Sequence, residues 1–393
     1  MKQEVYTFSQ TCDTVFGVGA IKQVGVKAKE LGMTKVLIVT DEGLVKAGVP
    51  GQVQEYLKAE GIDSAIFKDN TICKDTEIKA GADMFHEIHA DGIIGVGGGA
   101  SLDCAKGILV LAGNPWPLYQ YYLSWDYEVK YPLIAIPTTS GTGSENTIYS
   151  VTTYTGEDIP ERKLISGNKA DLLVKASLAI CDPELTVKLP AHLTASTGMD
   201  AFAHAAESMT CITPNPKSDC LDMEAIRLIV KWLPVAVKDP ENIEARYNMM
   251  LASTFAGMGF SDALVHLGHA FSECMGAKFH VAHGISCAWG LPETMTYASK
   301  YRGDKVRMVA DAMGLDIPEG ATDEEVGQIV ADAIRAFMKG IGVRSIKESG
   351  FTREDTVSIY TSIPKNLCWP SLPQPLSDDE LKAWLGRVYD TYQ

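Results

Sequence analysis

Residues 196–207 read STGMDAFAHAAE, and this stretch carries the densest chemistry in the chain. It is rich in alanine and contains no proline, so it predicts a helix. Asp200 and His204 are four residues apart, and on a helix their side chains would share one face. A carboxylate and an imidazole that point to one place form half of a divalent-metal site. Taken alone, the pair also fits an exposed helix with an ordinary i,i+4 contact.

The other half of such a site would have to come from histidines farther along the chain. They cluster in two short stretches, HLGH at residues 266–269 and HVAHG at residues 280–284. Each stretch offers two histidines, so the residues alone leave open which of them would bind the metal. The presence of both clusters favours a metal site over a solvated helix face.

Length, composition and charge restrict the class of protein. The chain has 393 residues, enough for about two domains, and 46% of them are hydrophobic. The net charge of −15 argues against a nucleic-acid partner. Nine scattered cysteines, none in a C-x-x-C pair, are typical of a reducing compartment. Neither a signal peptide nor a membrane-spanning run is evident, so we expect a soluble cytoplasmic protein without membrane contact.

The first half of the chain alternates between strand and helix patterns. Strands are expected at residues 5–8, 14–16, 35–40, 65–67, 92–96 and 131–137. Helices are expected at residues 21–31, 53–60 and 76–89. Alternation of this kind predicts an α/β domain with a parallel sheet.

Beyond about residue 186 the strand patterns give way to helices. These are expected at residues 195–209, 219–230, 243–258, 263–275, 305–314, 324–339 and 379–389. Prolines at positions 190, 214, 216, 234 and 292 are interpreted as joints between them. The sequence therefore predicts an α/β domain at residues 1–185 and an all-helical domain at residues 186–393, with the active site in the cleft between them.

Two polar loops follow predicted strands of the first domain. GGGASLDCAK at residues 97–106 offers backbone N–H groups to a phosphate, and PTTSGTGSE at residues 137–145 offers hydroxyls. Together they predict a nucleotide crevice, although a tight turn without a ligand is the alternative for the glycines. The match to the usual dinucleotide fingerprint is weak, because the best acidic partner, Asp41, precedes the glycines.

In order and over nearly the whole chain, these blocks resemble the iron-dependent (group III) alcohol dehydrogenase family. Its GGGSxxDxxK, PTTxGTGSE, DPELT and TGxDAxxHAxE motifs correspond to residues 97–106, 137–145, 182–186 and 197–207. Its HG ending corresponds to residues 283–284, followed by LP at 291–292. The resemblance implies a Rossmann-like nucleotide-binding domain and an all-α domain, the dehydroquinate synthase-like fold.

The resemblance also implies a set of site residues. The family's two late ligands are 14 residues apart, so the metal ligands are Asp200, His204, His269 and His283, with Fe²⁺ or Zn²⁺ as the ion. His266 would then be a neighbour that packs nearby. NAD(H) would contact Asp41, Gly97, Gly98, Gly99, Ser101, Asp103, Thr138, Thr139, Thr142, Ser144, Lys163 and Leu185. The substrate pocket would include Tyr149, Phe260, His280 and Cys368.

Two positions depart from the family pattern. Ala100 replaces a serine that usually follows the glycines. Glu273 stands four residues after His269, where family members commonly carry a second histidine. We expect Glu273 to reach the site beside the metal and to hold or pass the alcohol proton, although it could instead be a solvated helix residue.

The resemblance implies an NAD-dependent, metal-dependent alcohol dehydrogenase that acts on a small primary alcohol or aldehyde by hydride transfer. One alternative is a reductase of a small anionic aldehyde, such as sulfoacetaldehyde or succinic semialdehyde. Another is an NAD-using lyase of the dehydroquinate synthase type, which normally carries many basic residues that are scarce here. A third is a non-catalytic nucleotide-binding protein. A homodimer or larger assembly is expected, because residues 5–8 form a short apolar segment that would gain by pairing.

Overall fold

The structure is a computed structural model that describes residues 5–8, 12–156 and 169–393. The chain divides into two compact units, Thr11–Lys188 and Leu189–Gln393. Residues 5–8 group with the second unit, and the boundary falls at residue 188 where the sequence predicted 185. No described helix is long and apolar enough to cross a membrane.

The first unit is built around a six-stranded sheet in which every pairing is parallel. Its strands are β1 (Asp13–Phe16), β2 (Lys35–Val39), β3 (Asp63–Phe67), β4 (Gly92–Gly97), β5 (Leu133–Pro137) and β8 (Leu178–Cys181). Successive residues of β2 enter the apolar clusters on opposite faces of the sheet, Leu37 on one face and Ile38 on the other. Burial on both faces explains why these strands are continuous apolar runs.

Helices α1 (Val24–Glu30), α2 (Glu42–Ala47), α3 (Val49–Ala59), α4 (Asp75–Glu87) and α5 (Gly99–Gly113) complete this unit. A separate antiparallel pair, β6 (Tyr149–Thr153) and β7 (Lys169–Leu173), packs beside α5. The prediction of a strand at residues 5–8 is wrong for the single chain, because this segment has no strand structure and is exposed. A lone terminal segment gains backbone hydrogen bonds only where a neighbouring strand is in register with it.

The order of the strands along the sheet reverses direction once, and the place of this reversal marks where a ligand would bind. The spatial order is β1-β8-β5-β4-β2-β3, so the chain runs from β2 outward to β3 and then from β4 outward in the other direction. The switch therefore lies between β2 and β4, whose carboxyl ends lie on the same edge of the sheet. In open α/β sheets this edge is where ligands bind.

The second unit is helical. It contains α6 (Ala191–Thr210), α7 (Pro216–Lys238), α8 (Ile243–Ala263), α9 (Leu267–Phe279), α10 (His283–Ser299), α11 (Gly303–Ala312), α12 (Asp323–Gly340), α13 (Arg353–Val357) and α14 (Asp378–Asp390). One large apolar cluster runs through most of these helices. The predicted fold class, a parallel α/β unit followed by a helical one, is confirmed.

Two of the proline positions were interpreted wrongly. Pro234 lies inside α7 and Pro292 lies inside α10, so neither is a joint. A proline inside a helix costs about 3 kcal/mol. Burial of Leu291 and Met295 beside Pro292 offsets this cost, since each large apolar side chain contributes about 1.5–3 kcal/mol on burial.

Candidate metal centre

Helix α6 supplies the first two side chains of the centre. Asp200 and His204 lie in its middle, and both side chains are buried. The helix can be buried on nearly all sides because alanines occupy most of the positions around them. The ring of Phe260, from α8, stacks on the ring of His204 with centroids 4.2 Å apart and planes 10° apart. This contact fixes the imidazole and places Phe260 beside the centre.

Helices α9 and α10 supply the other two side chains. His269 lies in the first turn of α9, and His283 is the first residue of α10. One nitrogen or oxygen atom from each of the four side chains lies within 4.8 Å of the others. Oδ1 of Asp200 is 3.3 Å from Nε2 of His283, 3.9 Å from Nε2 of His204 and 4.0 Å from Nε2 of His269.

The chemistry of this group fits a divalent cation. Oδ1 of Asp200 and Nε2 of His269 are buried and make no hydrogen bond with described residues. Buried polar atoms of this kind are rare and costly unless something binds them. Three imidazole nitrogens and one carboxylate oxygen form a donor set that suits Fe²⁺ or Zn²⁺.

The charge states of Asp200 and His204 agree with this interpretation. Burial opposes the charge of Asp200, but His204, His283 and His269 outweigh burial and hold the pKa of its carboxyl well below the usual range. Burial lowers the pKa of His204 to about 3, although Asp200 opposes that shift. The centre therefore presents an ionised carboxylate and a neutral His204 imidazole, the forms that bind metal ions.

A glycine allows α10 to approach α6 closely enough to complete the group. A Cβ atom at Gly284 would lie 2.3 Å from the carbonyl oxygen of Ser196, which is far inside van der Waals contact. Only a residue without a side chain fits at this crossing. Because Gly284 follows His283 directly, the same close approach brings His283 against Asp200.

Glu207, one turn beyond His204 on α6, holds His269 in place. Its Oε1 accepts a hydrogen bond of 2.8 Å from Nδ1 of His269, and its Oε2 accepts one of 2.8 Å from the backbone N–H of His266. Burial would raise the pKa of Glu207, but His269 outweighs burial and lowers it to about 2. The sequence analysis did not select this residue, although it ends the motif at residues 197–207.

The remaining histidines of the two clusters lie outside the group of four. His266 is buried, and its Nε2 is 2.8 Å from the hydroxyl of Thr210. His280 ends α9 in a left-handed conformation and is exposed. The structure thus brings together the four predicted ligands and leaves His266 and His280 aside.

Two further side chains reach the ligand His283. Glu273 is buried rather than solvated, and its Oε1 lies 3.4 Å from Nδ1 of His283, whereas its predicted part in passing the alcohol proton stays a prediction. Cys287 is also buried, with its sulfur 3.5 Å from Nε2 of the same imidazole. Cys287 was not predicted, because its position one helical turn after His283 becomes visible only once residues 283–299 are known to be helical.

The predicted nucleotide loops lie side by side in the first unit. Gly97 has a φ of +155°, and a Cβ atom there would lie 2.6 Å from the hydroxyl oxygen of Ser101. The N–H of Thr138, which follows β5, donates a hydrogen bond of 2.9 Å to the carbonyl of Gly97. Thr139 and Thr142 pack against the next two glycines, Gly98 and Gly99.

Several of the predicted cofactor residues bind other protein groups. The carboxylate of Asp103 accepts hydrogen bonds from the hydroxyl of Ser144 at 2.7 Å and from the N–H of Val151 at 3.1 Å. Buried Lys106 donates to the same hydroxyl at 3.3 Å and to the carbonyl of Tyr149 at 2.6 Å. This network ties α5 to the polar loop after β5.

The other predicted residues are more scattered. Asp41 follows β2 and caps α2, with its Oδ1 accepting from the N–H of Leu44 at 3.0 Å. The hydroxyl of Ser101 accepts from Asn70 at 3.3 Å, and Leu185 packs against the sheet core. Cys368 is half-buried in the helical unit, and Tyr149 starts β6 in the first unit. Lys163 lies outside the described residues.

A parallel sheet with polar loops at its carboxyl edge and a helical unit with a three-histidine, one-carboxylate group together define a metal-dependent, nucleotide-binding class of protein. Comparison with known families makes the class specific. Residues 12–183 match the iron-containing alcohol dehydrogenase family, and residues 194–389 match the C-terminal part of the Fe-containing alcohol dehydrogenase family. The chain belongs to the iron-containing alcohol dehydrogenase family, and is therefore an oxidoreductase.

Known relatives cover almost the whole chain. The NAD-dependent methanol dehydrogenase of Bacillus methanolicus is 33% identical over 92% of this chain and 94% of its own length. The crystal structure of a 1,3-propanediol oxidoreductase is 32% identical, with a TM-score of 0.91 over 98% of this chain and 100% of that one. A sulfoacetaldehyde reductase from Bifidobacterium kashiwanohense in complex with NAD⁺ is 28% identical, with a TM-score of 0.86 over 99% of this chain and 100% of that one.

Proposed function

We propose that the protein catalyses reversible hydride transfer between a small primary alcohol or aldehyde and NAD(H), with Fe²⁺ or Zn²⁺ as its metal. The observation that carries the proposal is the converging group of Asp200, His204, His269 and His283, whose ligand atoms lie within 4.8 Å of one another. Buried atoms in this group lack hydrogen-bond partners among the described residues, which a bound cation would explain.

The four side chains would hold the metal and set its charge. When bound, the metal supplies a Lewis acid that polarises the oxygen of the alcohol or aldehyde. Asp200 contributes one negative charge, and the imidazoles contribute none in their neutral form. Glu207 fixes the orientation of His269, as carboxylates behind ligand histidines do in other metal sites. Phe260 covers one face of His204 and would limit the access of water.

The cofactor would bind at the carboxyl edge of the sheet. Asp41 and the glycines at 97–99 stand on either side of the switch between β2 and β4, which is where dinucleotides bind in open α/β sheets. When bound, NAD(H) carries the hydride. The backbone of residues 97–99 would face the pyrophosphate, and Thr138, Thr139 and Thr142 would face the nicotinamide half. Asp103, Ser144 and Lys106 would support the cofactor site indirectly. Their hydrogen bonds would hold the polar loop after β5 in position.

The relatives support both neutral and anionic substrates for this kind of site. Their names include dehydrogenases of methanol and 1,3-propanediol and a reductase of sulfoacetaldehyde. A small uncharged aldehyde or primary alcohol is our first proposal, and a small anionic aldehyde is the second. Tyr149, Phe260, His280 and Cys368 are the side chains we propose for the pocket, with Phe260 supported by its contact with His204.

The proposal is tested by linking metal content to turnover. The parent protein, His269→Ala and His283→Ala would be purified, their iron and zinc measured, and their oxidation of NADH followed with small neutral aldehydes. We expect each variant to lose at least about 90% of its metal and at least about 100-fold in kcat/KM, because each substitution removes one ligand bond and leaves a gap in the group of four. His266→Ala, beside the group but not part of it, is the control and should keep its metal. Full metal content with parental activity in either ligand variant would contradict the proposal.

A further inference from the structure

Glu273 occupies an unusual place for an acidic side chain. It lies in the middle of α9, only 8% of its surface is exposed, and it faces the imidazole of His283 rather than solvent. Its Oε1 is 3.4 Å from Nδ1 of His283, and the hydroxyl of Ser272 is 3.1 Å from the same nitrogen. Since Nε2 of His283 points toward Asp200, Glu273 stands behind the ligand, on the side away from the metal position.

The same arrangement occurs at a second ligand. Nδ1 of His269 contacts the carboxylate of Glu207, while its Nε2 points into the centre. Nδ1 of His204, in contrast, has no hydrogen-bond partner among the described residues. Two of the three imidazoles therefore have a carboxylate behind them, and carboxylates in this position orient the ring and make the ligand nitrogen more basic.

We propose that Glu273 is a positioning residue for the metal centre. It holds His283 in its ligating orientation, and its negative charge favours uncharged aldehydes over anionic ones. This inference rests on the proposed function and names its substrate class.

The charge of the site follows from the carboxylates around it. Three carboxylates surround the centre: Asp200 within the group of four, Glu207 behind His269 and Glu273 behind His283. In its ionised form Glu273 makes the surroundings of the metal more negative than Asp200 and Glu207 alone would. The effect should be strongest near His283, whose side chain is 35% exposed while those of His204 and His269 are 6% and 5% exposed.

The first arm of the test measures how firmly the metal is held. The zinc-loaded and cobalt-loaded proteins would be mixed with an excess of chelator, and release of the ion would be followed by a metal indicator and by the visible spectrum of Co²⁺. Glu273→Ala should release the metal about 10–100-fold faster than the parent, as is typical when the group behind a ligand histidine is removed. Glu273→Gln keeps an oxygen that can face Nδ1 of His283, so it should release the metal more slowly than Glu273→Ala.

The second arm measures the choice of substrate. Glycolaldehyde and sulfoacetaldehyde have the same two-carbon chain, and the second carries a negative charge. In Glu273→Gln, kcat/KM for sulfoacetaldehyde relative to glycolaldehyde should rise by about 3–10-fold, because a like charge near the substrate has been removed. The rise should shrink at high salt, since ions screen partly exposed charges.

Two control variants separate position from charge. Ser272→Ala removes the other contact to Nδ1 of His283 and leaves the charge in place, so it should not move the substrate ratio. Glu319→Gln removes one charge from the exposed loop before α12, and should change neither metal release nor the ratio.

Metal release from Glu273→Ala within twofold of the parent rate would overturn the positioning role, and an unchanged substrate ratio in Glu273→Gln would overturn the charge selection. A parent protein that turns over neither aldehyde would overturn the proposed function instead, and the metal-release arm would still decide the positioning role.

Discussion

At the scale of single residues, Asp41 shows how one side chain can serve the fold and the site together. Its Oδ1 accepts from the N–H of Leu44 and so caps α2. The same carboxylate stands at the carboxyl end of β2, where an acidic residue in a dinucleotide site would face the adenosine ribose. Replacement by glycine would disturb both roles, whereas serine keeps a capping oxygen and removes only the charge.

We predict that Asp41→Ser relaxes the preference for NADH over NADPH. A carboxylate near the ribose would repel a 2′-phosphate by about 1–3 kcal/mol, so the ratio of kcat/KM values should fall about 5- to 150-fold. The ratio would be measured with one aldehyde in both proteins. Because serine still caps α2, the melting temperature should stay within about 2 °C of the parent, whereas Asp41→Ala should cost about 1 kcal/mol of stability. A ratio equal to that of the parent would show that Asp41 does not face the ribose.

At the scale of helices, the centre depends on how closely α6 and α10 can pack. His283 begins α10, and the next residue, Gly284, lies against the backbone of α6 at Ser196. A larger residue at this crossing would push the helices apart. Since Asp200 and His204 move with α6 and His283 moves with α10, the distances within the metal group would change with them.

We predict that Gly284→Ala loses both stability and metal. Overpacking of this kind costs about 1–3 kcal/mol, and its Cβ would meet a backbone oxygen that cannot rotate away. Denaturant unfolding and bound iron or zinc would be measured. The control is Gly340→Ala, in α12, where a Cβ atom would meet nothing within 4 Å and alanine should be neutral or stabilising by up to about 1 kcal/mol. If Gly284→Ala kept its metal and matched Gly340→Ala in stability, the close crossing would not matter for the site.

Helix α10 was not predicted from the sequence. Residues 283–299 include Gly284, Gly290 and Pro292, each unfavourable within a helix, so local propensity argued against α10. Contacts with α6, α9 and α12 outweigh that propensity, and these are tertiary contacts that no local pattern contains. Cys287 was missed for this reason, since its relation to His283 exists only on a helix.

Other parts of the molecule could be predicted because their signals are local. The buried parallel strands are continuous apolar runs, and the spacing of Asp200 and His204 fixes a shared helix face. That Glu273 turns inward rather than to solvent was also predicted, because it is one helical turn after His269, but it lies behind His283 and not beside the metal position. Which ligand it would touch could not be predicted, since that depends on how α9 and α10 face each other.

At the scale of the whole molecule, the N-terminal segment bears on assembly. Val5 is 99% exposed and Phe8 is 53% exposed, and the described residues 5–8 form no strand within the chain. Exposed apolar side chains in one segment favour contact with another surface. We therefore predict a homodimer in which a second copy covers this segment, and a sedimenting mass of twice the chain mass of 42.5 kDa at micromolar concentration.

Val5→Ser combined with Phe8→Ser should weaken the dimer by at least about tenfold, since two apolar side chains lose their burial. Val129→Ser, at a side chain that is 56% exposed elsewhere on the molecule, should leave the dimer intact. A parent protein that sediments only as a monomer would contradict the prediction, and a dimer indifferent to the double substitution would place the interface on another surface.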